Sequence, residues 1–259
     1  MLDQITPLIL TFNEAPNLGR ALEQLRWAER IVVVDSFSTD ETLEIVKRFP
    51  QAEVVARKFD SFAGQCNFGL QQVRTPWVLS LDADYILTEE LIAEMQALAA
   101  AGAADGYSAR FKYSVYGHNL RASLYPPRTV LYRRDRARYE DDGHGHRVQI
   151  AGPVQALAAF ILHDDRKPLA RWLWAQDKYA TLEVQKLLAA AAGTLPVQDR
   201  LRKMIWPAPF VVFFYTLLVK GMIFEGWPGW YYVLQRTVAE LVLSLRLVEE
   251  KFKKKDHRR

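Results

Sequence analysis

The clearest indication of the fold comes from one segment, Trp77-Val78-Leu79-Ser80-Leu81-Asp82-Ala83-Asp84. Its first five residues form a short, mostly apolar run typical of a buried strand, and two carboxylates follow at once. A second such run, Ile31-Val32-Val33-Val34, ends in Asp35. Strands that are apolar on both faces are usually covered by helices on both sides, as in parallel sheets. The two runs therefore predict an α/β protein with acidic side chains at the carboxyl ends of its strands.

The segments around these runs alternate between predicted strands and predicted helices. Leu18, Leu22 and Leu25 recur at helical spacing and give one apolar stripe. Four further predicted elements, two strands and two helices, are Pro7–Thr11, Glu53–Ala56, Ser61–Val73 and Glu89–Ala100. Ser38-Thr39-Asp40-Glu41 matches a capping box, in which Ser38 and Glu41 satisfy free amides of the next helix. This order predicts a Rossmann-like parallel sheet, whose ligands bind beyond the carboxyl ends of the strands.

The second half of the chain has a different character. Tyr107–Tyr116 and Thr129–Arg133 are rich in aromatic and basic residues and are predicted strands. Pro168–Leu188 is a predicted helix with proline near its first turn. A predicted break, Ala189–Pro196, follows it. The sequence therefore predicts one domain over residues 1–195 and a helical region over residues 196–259.

The C-terminal region contains a long uncharged segment. Residues 204–219 carry no charge between Lys203 and Lys220, but 16 residues fall short of the roughly 20 that span a bilayer. Our preferred interpretation is an interfacial or re-entrant pair of helices. Five aromatic residues are then expected at headgroup depth: Trp206, Trp227, Trp230, Tyr231 and Tyr232. The alternatives are a hairpin that crosses the membrane and a buried helical layer or dimer interface.

Composition narrows the class of protein and its location. The net charge is +4, and the last nine residues alone supply six basic side chains and one acidic side chain. That concentration disfavours nucleic-acid binding, which needs a basic stripe, and it fits contact with an anionic membrane surface. A single cysteine and the lack of a signal peptide predict a cytoplasmic protein, peripheral on the inner face of the cell membrane. No dinucleotide fingerprint or P-loop occurs in the sequence.

Asp82-Ala83-Asp84 predicts a site for Mg²⁺ or Mn²⁺ that binds a diphosphate. Acids at i and i+2 converge where a strand gives way to a loop, although an isolated triplet of this kind is common. Asp35 is similarly placed to accept hydrogen bonds from a base or ribose, or to cap a helix. Asn13 and Glu14 follow the first predicted strand and either line the same crevice or form a turn before Pro16.

Two polar clusters lie further along the chain. In Glu140-Asp141-Asp142-Gly143-His144-Gly145-His146, a carboxylate or imidazole could act as a general base, and His144 could ligate the metal. The alternative is a solvated acidic loop. His163-Asp164-Asp165 could add a ligand or a phosphate contact, or simply end a strand. Four arginines that could bind a phosphorylated or lipid-linked ligand, or be surface charge, are Arg128, Arg133, Arg134 and Arg147.

The order and spacing of these residues resemble the inverting glycosyltransferases of family two, which have the GT-A fold. More narrowly, the chain resembles the bacterial branch that contains lipopolysaccharide-core glucosyltransferases. The nucleotide-binding part of the resemblance covers residues 5–100. The matching residues are Thr11-Phe12-Asn13-Glu14, Val32-Val33-Val34-Asp35, Ser36, Ser38, Asp40, Thr42, Asn67 and Leu81-Asp82-Ala83-Asp84.

The resemblance implies roles for these residues. Asp82 would contact the ribose or the metal, and Asp84 would bind the metal that bridges the diphosphate. The base would be an acid after the metal motif; among Glu140, Asp141 and Asp142 we favour Asp142. The remaining residues implied to bind the nucleotide sugar are Thr11, Asn13, Glu14, Asp35 and Asn67.

The resemblance also implies partners. The donor would be a nucleotide diphospho-sugar, with a UDP-hexose expected, and the acceptor would be a glycan or a lipid-linked molecule in cell-envelope polysaccharide or lipopolysaccharide synthesis. Two other functions fit the residues alone. A metal-dependent nucleotidyltransferase would release pyrophosphate, and an inactive scaffold at the membrane surface would do no chemistry.

Overall fold

The computed structural model describes residues 1–98, 104–142, 145–191 and 195–256, with no side-chain description at 142, 145–146 or 254–256. The chain divides into two compact units. Unit one comprises Met1–Asn119, Tyr125–Asp141 and His146–Lys167. Unit two comprises Leu120–Leu124, Asp142–Gly145 and Pro168–Arg259.

The secondary structure alternates in the first half and changes to strands and then helices in the second. The strands are β1 (Ile5–Thr11), β2 (Ile31–Asp35), β3 (Ala52–Ala56), β4 (Trp77–Asp82), β5 (Tyr85–Leu87), β6 (Gly106–Val115), β7 (His118–Asn119), β8 (Arg128–Arg133), β9 (Ala137–Asp142), β10 (Gly145–Ile150) and β11 (Val154–His163). The helices are α1 (Ala15–Glu23), α2 (Thr42–Val46), α3 (Phe62–Gln72), α4 (Glu89–Ala97), α5 (Leu169–Ala189), α6 (Val197–Lys203), α7 (Pro207–Phe214) and α8 (Gly226–Asp256).

Unit one is built on a mixed sheet, which confirms the α/β class. Its strand order is β3-β2-β1-β4-β8-β6-β11-β5, and β7 pairs with β6. The first four strands are parallel, whereas β8 runs antiparallel to both β4 and β6. Strands β9 and β10 form a separate two-stranded sheet. The four parallel strands therefore end at one edge of the sheet, where the sequence predicts a ligand crevice, and the other half of the sheet is mixed.

The core of unit one follows from the apolar runs. All five residues of β2 are buried, and β1 and β4 are buried at most positions. Leu18 and Leu22 of α1 are fully buried, and Leu25, just beyond the helix, is buried with them. Burying one aliphatic side chain of this size contributes about 1.5–3 kcal/mol. The predicted apolar stripe at helical spacing is confirmed.

One local prediction is wrong. Ser38 and Glu41 do not form a capping box, because α2 begins at Thr42 and no side-chain cap bond is made there. The Ser38 hydroxyl instead donates to Asp35 Oδ1 at 2.5 Å and accepts a hydrogen bond from the Asn13 amide at 2.8 Å. Asp35 and Asn13 thus engage the hydroxyl that the capping-box pattern assigned to the helix.

Unit two is helical. Its longest helices, α5 and α8, pack against each other through Val184, Leu187, Leu243 and Leu247. The first turn of α7 contains Pro207 and Pro209, and a π-helical turn, Tyr215–Val219, continues it. The predicted domain boundary after residue 195 stays a prediction, since α5 belongs to the same compact unit as the later helices.

Two helical segments of unit two reach the length and apolar character of a membrane span only when taken together. Among the described residues, no single helix has the length and apolar character of a membrane span. Pro207–Val219 and Met222–Lys253 meet that criterion only as a pair, with a bend of 66° at the break. The prediction that Tyr232 lies at headgroup depth is wrong, because its side chain is buried and its hydroxyl accepts a hydrogen bond from the Leu124 amide at 2.7 Å.

The packing of α3 on the sheet yields a stability prediction. A Cβ atom added at Gly69 would lie 2.5 Å from Leu8 Cδ1 and 3.2 Å from Val34 Cγ2. We expect Gly69→Ala to lower the free energy of unfolding by about 1–3 kcal/mol, as overpacking of a core does. Urea denaturation measures it. Gly19→Ala in α1 is the control: its new methyl group meets only Ile45 at 3.5 Å, so stability should hold or rise by up to about 1 kcal/mol.

Candidate functional site

Three predicted site residues lie at one edge of the parallel sheet. In the register of β1 and β2, Thr11 pairs with Asp35, and in that of β1 and β4, Leu10 pairs with Asp82. The carboxyl ends of parallel strands meet at the same edge, which is where open α/β sheets bind ligands. The predicted convergence of Thr11, Asp35 and Asp82 is therefore a property of the fold.

Asp35 organises the loop that follows β2. Its carboxylate is buried and accepts hydrogen bonds from the Thr11 hydroxyl at 3.0 Å and from the Ser38 amide at 2.8 Å, in addition to the Ser38 hydroxyl. Hydrogen bonds to a buried carboxylate offset its loss of hydration. Asp35 thus shapes the crevice; its predicted contact with a nucleoside stays a prediction.

The loop after β1 is fastened to the loop after β2. The Asn13 side-chain oxygen accepts a hydrogen bond from the Thr39 amide at 2.7 Å, and the Glu14 amide donates to the Thr42 hydroxyl at 2.8 Å. Asn13 has a φ of 56°, in the left-handed region that asparagine tolerates better than most residues. Thr39 and Thr42, in the polar segment that follows Asp35, thus hold the loop after β1 in place.

Asp82 and Asp84 differ in their surroundings. The Asp82 carboxylate is half-buried and makes no hydrogen bond or ion pair with any described residue. Asp84 is buried; its Oδ2 lies 3.2 Å from His163 Nε2, while its Oδ1 has no hydrogen-bond partner among the described residues. Burial alone would raise the pKa of Asp84, but His163 and Lys167 outweigh burial and hold this pKa below its usual range.

Lys167 supplies the positive charge for this group of acids. Its ammonium lies 2.8 Å from Glu14 Oε1, 3.3 Å from Asp165 Oδ1 and 4.0 Å from Asp84 Oδ2. Burial would lower the pKa of Lys167, but the three carboxylates raise it well above its usual value. Burial raises the pKa of Glu14 to about 7, against the effect of Lys167. Lys167 therefore stays charged while Glu14 is poised to gain a proton.

Asn17 and Arg20 of α1 hold the segment that follows β11. The buried Asn17 amide donates to Glu14 Oε2 at 3.0 Å and to Asp165 Oδ1 at 2.9 Å. Arg20 binds the Asp164 carboxylate at 2.8 Å, and Arg166 Nε lies 2.9 Å from the same oxygen. Asp164 is thus an anchor for two arginines, and Asp165 faces Lys167.

An aromatic group lies beside Asp82 at the start of the antiparallel half. The hydroxyls of Tyr85 and Tyr125 are hydrogen-bonded to each other, and the Arg128 guanidinium lies 4.9 Å from the centre of the Tyr125 ring. The Arg128 guanidinium makes no hydrogen bond or ion pair with any residue that the structure describes. Burial would lower the pKa of Arg128, but Tyr85, Tyr125 and Asp82 raise it. Arg128 therefore has a charged guanidinium whose N–H donors have no partner among the described residues.

The acidic cluster is placed only in part. Asp141 Oδ1 accepts a hydrogen bond from the Ala63 amide at 3.0 Å, at the start of α3, and Glu140 Oε2 accepts one from Gln149 at 3.3 Å. Asp142 ends β9, but its side chain and the whole of His144 lie outside the described residues. The choice of Asp142 as base and of His144 as metal ligand stays a prediction.

Asn67 has a structural role in this geometry. Its amide nitrogen donates to the Tyr139 carbonyl at 3.0 Å, and its oxygen accepts from the Tyr139 amide at 2.9 Å. Both ends of the side chain therefore connect α3 to β9. The predicted contact of Asn67 with a nucleotide sugar stays a prediction.

Sequence reasoning missed Lys167, Asn17 and Arg20. The sequence contains an indication for Lys167, because this residue directly follows the polar run that begins at His163. A signal for the other two was weaker: they lie three residues apart on α1, next to its apolar stripe. Their partners lie more than 140 residues away in sequence, so no local pattern could identify them.

The carboxylate oxygens of Asp82 and Asp84 are the type of ligand that a hard divalent cation binds. Mg²⁺ is usually bound by one or two carboxylates together with substrate phosphates rather than by a complete protein cage. Asp84 offers a buried oxygen without a partner, and Asp82 offers an unengaged carboxylate two residues earlier. The described residues contain no group of three or more acidic, histidine or cysteine ligands. The missing ligands would have to come from the substrate.

Comparisons with known proteins agree on one family. Residues 8–157 match the family model described as "Glycosyl transferase family 2". The lipopolysaccharide core biosynthesis glycosyltransferase LpsC of Rhizobium meliloti (strain 1021) is 29% identical over 216 residues, which cover 79% of this chain and 77% of LpsC. An uncharacterized glycosyltransferase of Rickettsia bellii is 35% identical over 107 residues, which cover 41% of this chain and 36% of that protein.

A solved structure supports the fold. The crystal structure of S. aureus TarS 1–349 in complex with UDP-GlcNAc aligns with a TM-score of 0.50 at 14% identity, over 97% of this chain and 92% of that chain. At this identity the likeness concerns the fold alone. The α/β architecture is GT-A-like, as the resemblance implied.

The charge balance around Lys167 gives a prediction about stability. Lys167→Met leaves three carboxylates without their counter-charge, and we expect it to lower the free energy of unfolding by about 3 kcal/mol at pH 8. Loss of the ammonium raises the pKa of Glu14 further and removes one of the charges that hold the pKa of Asp84 low, so the folded variant binds more protons than the wild type as the pH falls. The deficit should therefore shrink between pH 8 and pH 5.

Urea denaturation with a chelator present measures this effect without interference from metal. Lys167→Arg keeps the charge and is the matched control, for which the loss should be smaller at pH 8 and nearly independent of pH. A Lys167→Met deficit that is the same at both pH values would contradict the charge-balance interpretation.

Proposed function

The chain belongs to glycosyl transferase family 2, and on that premise we propose that it moves a sugar, a hexose, from a UDP-sugar to a glycan or lipid-linked acceptor with inversion at the anomeric carbon. The observation that carries this proposal is the open pair at the end of β4: a buried Asp84 oxygen without a partner beside an unengaged Asp82. Similarity to LpsC, whose name refers to lipopolysaccharide core biosynthesis, supports a role in the cell envelope.

Asp84 and Asp82 would hold a divalent metal ion, Mn²⁺ or Mg²⁺. When bound, such an ion neutralises the charge that develops on the departing diphosphate. His163 and Lys167 hold the pKa of Asp84 below its usual range, so the carboxylate is ionised at neutral pH and ready to bind a cation. The loops that carry Asn13 and Glu14 are fixed by Ser38 and Thr42, so the wall of the crevice is formed before a nucleoside arrives.

The chemistry also needs a base for the acceptor hydroxyl. An in-line attack inverts the anomeric carbon, and a carboxylate must take the proton of the attacking hydroxyl. We propose Asp142 for this role, as the resemblance implies. Glu140 and Asp141 are weaker candidates because each accepts a hydrogen bond from another part of unit one.

The first experiment is a thermal-stability screen of the chain with nucleoside diphosphates and nucleotide sugars, each with and without Mn²⁺ or Mg²⁺. A ligand that binds only the native state raises its stability by mass action. A shift with UDP or a UDP-sugar that needs the metal supports the proposed donor. The absence of a shift with every nucleotide would favour an inactive scaffold, and release of pyrophosphate in turnover would favour a nucleotidyltransferase.

Replacement of Asp84 tests the metal site. Asp84→Asn keeps the shape of the side chain but removes its charge, and we expect the rate of nucleoside diphosphate release to fall by about 100-fold or more, with the far-UV spectrum unchanged. Asp135→Asn is the control, because Asp135 is exposed and remote from the end of β4. Normal turnover by Asp84→Asn would contradict the assignment of Asp84 as a metal ligand.

The open guanidinium of Arg128 supports a phosphorylated acceptor. Arginine binds phosphate in a bidentate manner, and the Tyr125 ring holds the guanidinium in place. A phosphate on the acceptor sugar would provide the hydrogen-bond acceptors that the described residues do not. This makes Arg128 a specificity residue on the acceptor side of Asp82.

Phosphatase treatment of the acceptor tests this role. With a bacterial core oligosaccharide as acceptor, we expect removal of its phosphates to raise the KM of the wild-type chain about tenfold, and Arg128→Ala to do the same with intact acceptor, since a charge-assisted hydrogen bond contributes about 1.5–3 kcal/mol. Dephosphorylation and Arg128→Ala together should raise the KM for the acceptor no more than either change alone. The exposed Arg134→Ala is the control. A raised KM for the donor in Arg128→Ala would contradict the assignment.

A further inference from the structure

The outer face of α7 and its π-helical extension is apolar and uncovered in unit two. Its residues are between 41% and 71% exposed. They recur at helical spacing and form a continuous stripe along the segment. We call this stripe the outer face of α7; it consists of Phe210, Val211, Phe214, Tyr215, Leu218 and Val219.

The opposite side of the same segment is the one that packs inside unit two. Ala208, Pro209 and Leu217 are buried there, and α7 packs against α8. Thr216, also buried, satisfies its hydroxyl on the Val212 carbonyl at 2.7 Å. These buried residues face the rest of unit two, while the six residues of the outer face are left exposed. Exposed apolar patches of this kind mark interaction surfaces in folded proteins.

Aromatic side chains border the outer face at both ends. Trp206 precedes α7 and is 70% exposed, and Phe224 and Trp227 follow the break and are 75% and 85% exposed. Tryptophan at the rim of an apolar surface is typical of the membrane interface, where the ring is buried and its N–H stays hydrated.

The segment that carries the outer face is basic. From Arg200 to Phe224 the sequence contains no acidic residue, but it contains four basic residues. Arg202 is paired with Glu240, whereas Lys203 and Lys220 stand at the two ends of the apolar segment. An apolar stripe with a basic border complements a surface that is apolar inside and anionic outside.

We propose that the outer face of α7 docks on an anionic lipid bilayer, with the helix lying in the plane of the interface. Thirteen residues, Pro207–Val219, measure about 20 Å as a helix, which is too short to cross a hydrocarbon core of about 30 Å. A second copy of the chain fits this face less well. A two-fold contact would bring Lys203 and Lys220 of one copy near the same lysines of the other copy, without an acid between them. This inference goes beyond the proposed transfer reaction and does not depend on it.

Flotation of the full chain with vesicles tests the proposal. We expect binding to vesicles of phosphatidylcholine with 30% phosphatidylglycerol, chosen to give an anionic surface of about the strength of a cytoplasmic leaflet. The triple variant Phe210→Ser, Phe214→Ser, Leu218→Ser should lose at least tenfold in affinity. Lys203→Gln with Lys220→Gln should lose about fivefold for each charge, and only on anionic vesicles.

Matched exposed apolar residues elsewhere serve as the control. Phe59→Ser with Leu245→Ser removes side chains that are 47% and 69% exposed outside the outer face, and this variant should bind vesicles like the wild type. Donor-induced thermal shifts should be the same in all variants, which separates a failure of docking from a failure of the proposed function. Equal binding of the triple variant and the wild type would overturn the proposal, as would a dimer lost in the triple variant without any flotation.

Discussion

Crowding of carboxylates at the carboxyl edge of a parallel sheet is the constraint on which the rest of unit one depends. The register of β1, β2 and β4 brings Asp35 and Asp82 to one edge, and the turn after β4 adds Asp84. Each buried charge must be hydrogen-bonded or paired, because its transfer from water otherwise costs several kcal/mol. The loops after β1 and β2 and the segment after β11 are all arranged around that requirement.

The protein meets the requirement in two different ways. Asp35 is saturated by Thr11 and by the Ser38 amide and hydroxyl, so its charge is used within the fold. Asp84 is only half satisfied: Lys167 and His163 stabilise its charge, but one oxygen lacks a donor, at a cost of about 1–3 kcal/mol. The contrast between the two acids is why the proposed cation is assigned to Asp84 and not to Asp35.

The part of this arrangement that the sequence predicts is the part that local periodicity encodes. Apolar runs place β1, β2 and β4, and the acids that end these runs identify the edge of the sheet. The capping box at Ser38 fails because the hydroxyl has a better partner in Asp35, three residues earlier, and Asn13, 25 residues away. Lys167 reaches Glu14 across 153 residues of sequence, and the antiparallel half has a strand order that no single segment specifies. Such contacts arise from the topology, which a single sequence does not reveal.

The same reasoning explains why the sequence leaves α7 ambiguous. Residues 204–219 are apolar on every side, so a hydrophobic pattern cannot distinguish an outer face from an inner one. Only the packing separates the two faces: Ala208 and Leu217 are buried in unit two, whereas Phe210 and Phe214 are more than half exposed. The side chains left exposed are the ones that the proposed docking on a bilayer would bury. They can be told from the packed side chains only once the packed side is known.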